Sequence, residues 1–71
     1  MKIVVIANLR WRALCPSWYR LVREGTAVDL LYNGDHWWLT NGETSVQVPD
    51  RDTGAMMLAK HLNREAAGGG A

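Results

Sequence analysis

Arginine and aromatic side chains are interleaved in one stretch of the chain, between residues 10 and 23. The stretch contains four arginines and three aromatic residues, and no acidic residue precedes Glu24: Arg10, Trp11, Arg12, Trp18, Tyr19, Arg20 and Arg23. Arginine beside aromatic rings stacks on bases and binds phosphates, and it is equally typical of protein-binding hot spots. It also occurs on solvated strand surfaces, where arginine stems lie over tryptophan rings. The stretch predicts a binding surface and leaves these three interpretations open.

Apart from these arginines and aromatic residues, few residues have side chains that could support catalysis or bind a metal ion. His36 and His61 are far apart, Cys15 is the single cysteine, and two aspartates flank Arg51 where a helix is expected to begin. These residues do not have the spacing of a metal site, a nucleophilic triad or a phosphate-binding loop. We therefore predict a protein that is not an enzyme, with no catalytic residue, metal or cofactor.

Length and composition limit the alternatives further. The chain has 71 residues, 48% of them hydrophobic, and eight basic against seven acidic residues give a net charge of +1. This is about half of a typical domain, so we predict one small domain over residues 1–66 and a flexible, glycine-rich tail over residues 67–71. A nearly neutral chain lacks the strongly basic character of a dedicated nucleic-acid binder. With one cysteine it cannot form an internal disulfide, so its stability must rest on the hydrophobic core.

The N-terminal residues are candidates for a signal peptide or a membrane span. An apolar run over residues 3–7 follows Met1 and Lys2, but it ends at Asn8, and Arg10 and Arg12 come soon after. Such a run is too short for a signal peptide or a membrane span. We predict a cytoplasmic protein that does not contact membranes, in which Cys15 is a reduced, half-buried and unreactive thiol.

The pattern of apolar residues predicts mostly β structure. Alternating apolar positions predict one long strand over residues 3–13, and residues 16–25 fit a short helix or a packed loop. Strands are expected over residues 27–32, 36–40 and 43–48, with a type I′ turn at Asn41-Gly42. Pro49 ends this antiparallel meander. A helix is then capped by Asp50, Asp52 or Thr53 and buries one apolar stripe, made of Ala55, Leu58, Ala59 and Leu62.

The middle of the chain resembles the Src-homology-three family and its bacterial relatives. The resemblance covers about residues 25–49: Gly25 before the strand Val28-Asp29-Leu30-Leu31, the strand containing Trp37-Trp38, the turn Asn41-Gly42 and the exit Val48-Pro49. It implies a small five-stranded barrel, in which the long first strand would supply the closing strand. In that family the first tryptophan of the pair and the proline line a groove for proline-rich peptides. Trp37 and Pro49 match those positions, and the two tyrosines of the groove have no clear match. By the same analogy, Trp38 is expected inside the barrel and Trp37 outside.

Together these observations predict an α+β fold, mainly antiparallel β: a small Src-homology-three-like barrel or curled sheet of four to five strands with a C-terminal helix. We expect a protein-binding module, of the kind that phages and mobile elements use to inhibit a host complex. A nucleic-acid-binding barrel is the alternative, and a homo-oligomer whose exposed aromatic residues form subunit contacts is the third interpretation. The expected partner-binding residues are Arg10, Arg12, Trp18, Tyr19, Arg20, Arg23, Trp37 and Pro49.

Overall fold

The computed structural model describes residues 2–68 and, within them, the side chains of residues 2–65. Six strands precede one helix: β1 Lys2–Ile6, β2 Leu9–Cys15, β3 Trp18–Leu21, β4 Asp29–Tyr32, β5 Trp37–Thr40, β6 Ser45–Val48 and α1 Arg51–Gly68. The glycine-rich tail expected over residues 67–71 lies mostly outside the described residues. Within residues 2–68, no helix is both long and apolar enough to span a bilayer.

The strands form a single open sheet. Each strand pairs antiparallel with the next along the chain, in the order β1-β2-β3-β4-β5-β6. The α+β class and the predominance of antiparallel β structure are confirmed. The barrel is wrong, because β1 and β6 lie at opposite edges and do not pair with each other. The sheet also has six strands, where four to five were expected.

The extra strands come from the N-terminal third, where the predicted single strand is a hairpin. The chain reverses at Ala7 and Asn8, which have φ values of 56° and 64°, and Ile6 pairs with Leu9 across this two-residue turn. Two consecutive residues in the left-handed region are what a type I′ turn requires. Neither turn residue is glycine or proline, and apolar residues fill both faces of β1, so the sequence carries little signal for the reversal.

Residues 18–21 are a strand, so both the helix and the loop interpretations were wrong there. Pro16 and Ser17 form the turn that leads into β3. Ala13 lies opposite Tyr19 and Cys15 opposite Trp18, so the additional residue Leu14 forms a β-bulge in β2. A segment of only four residues fits a strand or one helical turn equally well, which explains the ambiguity.

The three-strand meander β4–β5–β6 is confirmed, with shorter strands than expected. Its two loops, residues 33–36 and 41–44, are built alike. In each, the side-chain oxygen of the asparagine accepts backbone N–H bonds from the residues two and three positions on, at 2.8–3.0 Å. The following glycines, Gly34 and Gly42, have positive φ. Asn41 itself does not, so the predicted type I′ turn is replaced by a four-residue loop closed by the asparagine side chain.

Helix α1 covers one face of the sheet and forms the core with it. Trp11 and Leu30 from the sheet are fully buried, and α1 contributes the predicted stripe, with Ala55, Leu58 and Leu62 buried and Ala59 half-buried. Gly54 lets the helix approach closely: a methyl group there would lie 2.8 Å from Leu30 Cδ2 and 3.0 Å from Val48 Cγ2. The first turn of α1 is therefore packed directly against β4 and β6.

The two neighbouring tryptophans point to opposite faces, but in the reverse of the expected sense. Trp37 packs against the core cluster, and its ring lies 6.2 Å from the Tyr19 ring and 5.3 Å from the Tyr32 ring, centroid to centroid. Trp38, one residue on, must point to the face that α1 does not cover. The analogy with a closed barrel assigned the faces wrongly, because in this sheet the helix defines the interior.

Candidate functional site

The face of the sheet opposite α1 gathers arginine, tryptophan and leucine side chains. Side chains that alternate along each strand with the buried positions point to this face. We call its central residues the Arg–Trp face: Arg10, Arg12, Trp18, Arg20, Leu31 and Trp38. Arg10, Arg12, Trp18 and Arg20 were expected from the sequence to bind a partner. Leu31 and Trp38 were missed.

Strand register arranges this face in two adjacent rows. One row crosses β2, β3 and β4, with Arg12 opposite Arg20 and Arg20 opposite Asp29. The other crosses β3, β4 and β5, with Trp18 opposite Leu31 and Leu31 opposite Trp38. Directly opposed side chains on one face have Cβ atoms about 5 Å apart. A charged row thus runs beside an apolar row across the middle of the sheet.

Asp29 fixes the side chains that join the two rows. Its Oδ2 accepts a hydrogen bond from Trp18 Nε1 at 3.0 Å. Arg20 donates to the same carboxylate through Nε at 3.2 Å and Nη2 at 3.4 Å, and its guanidinium carbon lies 5.4 Å from the Trp18 ring centroid. The indole of Trp18 is therefore held in one orientation while it stays exposed.

Arg10 and Arg12 lie beside this arrangement in β2 and have no such restraint. Both are exposed, and neither forms an ion pair with a carboxylate in the described part of the chain. They lie opposite Val5 and Ile3 of β1, which are 68% and 47% exposed. Three arginines and one aspartate give this side of the sheet a net positive charge.

Trp38 closes the other end of the apolar row. Its side chain is half-buried, and its Nε1 is enclosed without a hydrogen-bond acceptor among the described residues. Buried indole N–H groups usually have an acceptor, because an unpaired one loses its bond to water. Trp38 was assigned to the interior from sequence, and only the position of α1 places it here.

Two of the expected binding residues, Tyr19 and Trp37, lie on the opposite side of the sheet, and a third, Pro49, lies beyond the last strand. Tyr19 is buried, and its hydroxyl accepts a hydrogen bond from Arg51 Nη1 at 3.1 Å. This bond is the main reason that the pKa of Arg51 is raised. Trp37 packs between Tyr19 and Tyr32, and the exposed Pro49 follows Val48, the residue opposite Trp37. Tyr19 and Tyr32 thus supply aromatic neighbours that the sequence did not assign.

Two other predicted positions stand apart from the Arg–Trp face. Arg23 lies in the loop between β3 and β4 and is exposed. Cys15 is exposed where a half-buried thiol was expected. A hydrogen bond with the Ser17 side chain, Sγ to Oγ 3.4 Å, is the main cause that lowers the pKa of the Cys15 thiol.

An open groove of about 700 Å³ lies on the helix side, between α1 and the β5–β6 hairpin. Its walls include Leu39, Val46, Leu58 and Leu62, and its charged groups include Glu43 and Glu65. His61 at the rim lies 3.2 Å from Glu65, measured from Nε2 to Oε1. Within residues 2–68 no cluster of histidine, cysteine and acidic side chains could hold a metal ion. This groove lacks the arginines and tryptophans that distinguish the opposite face.

The likeness of residues 25–49 to the Src-homology-three family stays a prediction. Comparison of the chain with protein-family models, curated proteins and solved structures finds no match.

Proposed function

We propose that the Arg–Trp face binds an acidic, partly apolar surface of another protein. The observation that supports this most directly is the uncovered side of the sheet, where two tryptophans, a leucine and three arginines share one surface. A strand face that points to solvent ordinarily carries small polar and charged side chains. Apolar rings on that side are explained if another surface covers them.

The residue types match those that dominate protein interfaces. Tryptophan and arginine are enriched at hot spots, where a few large side chains contribute most of the binding energy. Asp29 holds Trp18 and Arg20 in place before binding, so less side-chain freedom is lost when the complex forms. The row of Trp18, Leu31 and Trp38 would supply the apolar centre of the contact.

The charges indicate what the partner surface carries. Arg10 and Arg12 have no carboxylate of this chain within ion-pair distance among the described residues. A guanidinium binds a carboxylate through two parallel hydrogen bonds. Aspartate or glutamate side chains of the partner, flanking an apolar patch, would therefore complement the two rows.

Single-stranded nucleic acid is the second candidate, because arginines interleaved with tryptophans also bind phosphates and stack on bases. One detail favours protein over nucleic acid. The Arg20 guanidinium lies over the Trp18 ring, 5.4 Å from its centroid, where a base would stack.

Binding measurements on matched variants test the proposal. Partners are captured from a lysate of the source cell with the immobilised chain, identified by mass spectrometry, purified and titrated against wild type, Arg10→Ala/Arg12→Ala, Trp18→Ala and Arg64→Ala. We expect each of the first two variants to weaken binding by about tenfold or more, as loss of hot-spot side chains does. Arg64→Ala, an exposed arginine on α1, should bind like wild type.

A labelled single-stranded oligonucleotide provides the competing arm of the experiment. Phosphate binding would give an affinity that falls steeply with salt, with a log–log slope of about 0.7–0.9 per contact. Steep, salt-dependent oligonucleotide binding that the two variants abolish would overturn the protein proposal in favour of nucleic acid. If all variants bind the purified partner with equal affinity, the Arg–Trp face is not the surface that binds it. Inhibition of a host complex by a phage or mobile-element product stays a prediction.

A further inference from the structure

The first strand of the sheet carries a second interaction surface, at its free edge. β1 is a terminal strand of the sheet and pairs only with β2 among the described residues. An edge strand offers unpaired backbone N–H and C=O groups to another chain. Natural proteins protect such edges with prolines, bulges or several charges. β1 has the sequence Lys-Ile-Val-Val-Ile, and its one charge lies at its start.

The hydrogen-bond pattern of the hairpin identifies which groups are free. The residues that flank a two-residue turn, here Ile6 and Leu9, exchange hydrogen bonds, and the pattern alternates from there along the strands. Val5 and Arg10 therefore do not exchange bonds, and the carbonyl of Arg10 instead accepts from Val22 N, on the β3 side, at 2.9 Å. By the same alternation, the N–H and C=O groups of Ile3 and Val5 point away from β2, along the open edge.

We propose that this edge pairs with β1 of a second copy of the chain, in an antiparallel register centred on Val4. In that register Ile3 of each copy lies opposite Val5 of the other copy, which gives two such pairs. Each such pair can exchange two hydrogen bonds, so all four free groups of each copy find a partner. The arrangement needs no change in the hairpin, because it uses only groups that β2 leaves unpaired.

The side chains suit the same register. Ile3 and Val5 are 47% and 68% exposed, and their four copies would form one apolar cluster on the face opposite α1. Lys2 would lie opposite Ile6, so like charges do not meet at the edge. Arg10 and Arg12 would flank the cluster on both sides, where their apolar stems can cover it. Arg12 of one copy and Arg10 of the other would lie in the same row, three strand spacings or about 14 Å apart. This distance exceeds the screening length at physiological salt, so the two charges repel only weakly.

The symmetry has a consequence for the whole assembly. An antiparallel pair in one continuous sheet is related by an axis perpendicular to the sheet, so both helices lie on one side. The two Arg–Trp faces then lie side by side on the other. The proposed pairing does not depend on the proposed function, because its residues, Ile3 and Val5, are not part of the Arg–Trp face.

Sedimentation of wild type and edge variants tests the pairing. Between about 10 µM and about 1 mM, we expect wild type to shift from the 8.0 kDa of one chain toward twice that mass, as mass action requires. Val5→Pro removes a free edge N–H that β2 does not use, and Val5→Lys places a charge in the apolar cluster. Both variants should stay at 8.0 kDa throughout, with the circular dichroism of wild type verifying the fold. Val46→Lys, the same change on the opposite edge strand, should associate like wild type.

Amide hydrogen exchange gives a second readout at single-residue level. The Ile3 and Val5 amides should exchange about tenfold more slowly at the higher concentration, while the Val4 amide, bonded to β2, is protected at both. The proposal is overturned if wild type stays at 8.0 kDa at the highest concentration. It is also overturned if the Val5 variants associate like wild type, if Val46→Lys abolishes association, or if the Ile3 and Val5 amides exchange at a rate independent of concentration.

Discussion

At the scale of single residues, Asp50 shows how one side chain fixes the junction between sheet and helix. Its Oδ1 accepts the backbone N–H of Thr53 at 2.7 Å, and its carbonyl accepts the N–H of Gly54 at 3.1 Å. Asp50 is thus the N-cap of α1, one of the three residues that the sequence suggested for that role. The hydrogen bond from Thr53 favours the charged carboxylate and lowers the pKa of Asp50.

The lowered pKa predicts a pH dependence of stability. A carboxyl whose pKa is lower in the folded state stabilises the fold above its unfolded pKa of about 4, and this contribution is lost as pH falls through the folded value. Asp50→Asn keeps a side-chain acceptor but does not titrate. Wild type should therefore melt at a higher temperature than Asp50→Asn at neutral pH, and the difference should shrink below about pH 4. Thermal melts of both proteins across that range check this, and parallel curves would contradict it.

The residue scale also shows how far the candidate site follows from sequence. Arg10, Arg12 and Arg20 share a face because they alternate with buried residues along β2 and β3. The alternation in β2 is visible in the sequence, whereas β3 is too short for its alternation to be recognised there. Trp38 was wrongly assigned to the interior. Which face of the sheet is the interior depends on where α1 packs, and the sequence does not specify that. Tyr19 and Trp37 were expected to bind a partner, but their positions on the helix side follow from strand register, which composition does not reveal.

At the scale of secondary-structure elements, Gly54 determines how closely α1 approaches the sheet. A Cβ atom there would lie 2.8 Å from Leu30 and 3.0 Å from Val48, and both side chains are buried. Alanine favours a helix over glycine by about 1 kcal/mol, whereas overpacking a tight core costs about 1–3 kcal/mol. The steric cost should exceed the gain in propensity.

We therefore expect Gly54→Ala to lower the free energy of unfolding by about 1 kcal/mol, measured by urea denaturation. A double-mutant cycle with Val48→Ala, which removes the nearer Val48 methyl group, identifies the cause. Val48→Ala should cost less in the Gly54→Ala background than in wild type. If Gly54→Ala raises the stability instead, helix propensity dominates and the close contact is not limiting.

The elements differ in how clearly the sequence encodes them. The β4–β6 meander and the helix stripe are predictable, because Asn-Gly pairs and apolar residues at helical spacing are strong local signals. The reversal at Ala7-Asn8 is not, because either residue can also continue a strand. β3 has only four residues, too few to distinguish a period of two from a period of 3.6.

At the scale of the whole molecule, the hydrophobic core lies on the face of the sheet that α1 covers. This position of the core predicts unequal contributions of Trp11 and Trp38 to stability. Trp11 is fully buried under α1, whereas Trp38 is half-buried on the opposite face. Trp11→Ala should cost about 3–5 kcal/mol, a large part of what a small domain has. Trp38→Ala should keep a cooperative unfolding transition and lose less stability. Urea denaturation of both variants measures the difference, and a greater loss for Trp38→Ala would show that the faces are assigned wrongly.

The sequence suggested a closed barrel, but the sheet is open, and this is the largest difference between the predicted and the observed fold. Local patterns specify strands and turns, whereas a barrel requires its first and last strands to meet, and no short-range signal encodes that contact. The resemblance over residues 25–49 suggested closure, but that segment contains only β4, β5 and β6. The hairpin at the N-terminus adds strands to one side of the meander instead of closing it.

The uninterrupted neighbour-to-neighbour order of the six strands also has a kinetic consequence. Every strand meets a partner that was synthesised immediately before or after it, and the longest connection between strands is residues 22–28. Closing such short loops costs little chain entropy, and folds with near-sequence contacts cross the folding barrier faster than β proteins with distant pairings. The chain can therefore assemble hairpin by hairpin, with the docking of α1 as the step that joins distant parts of the sequence.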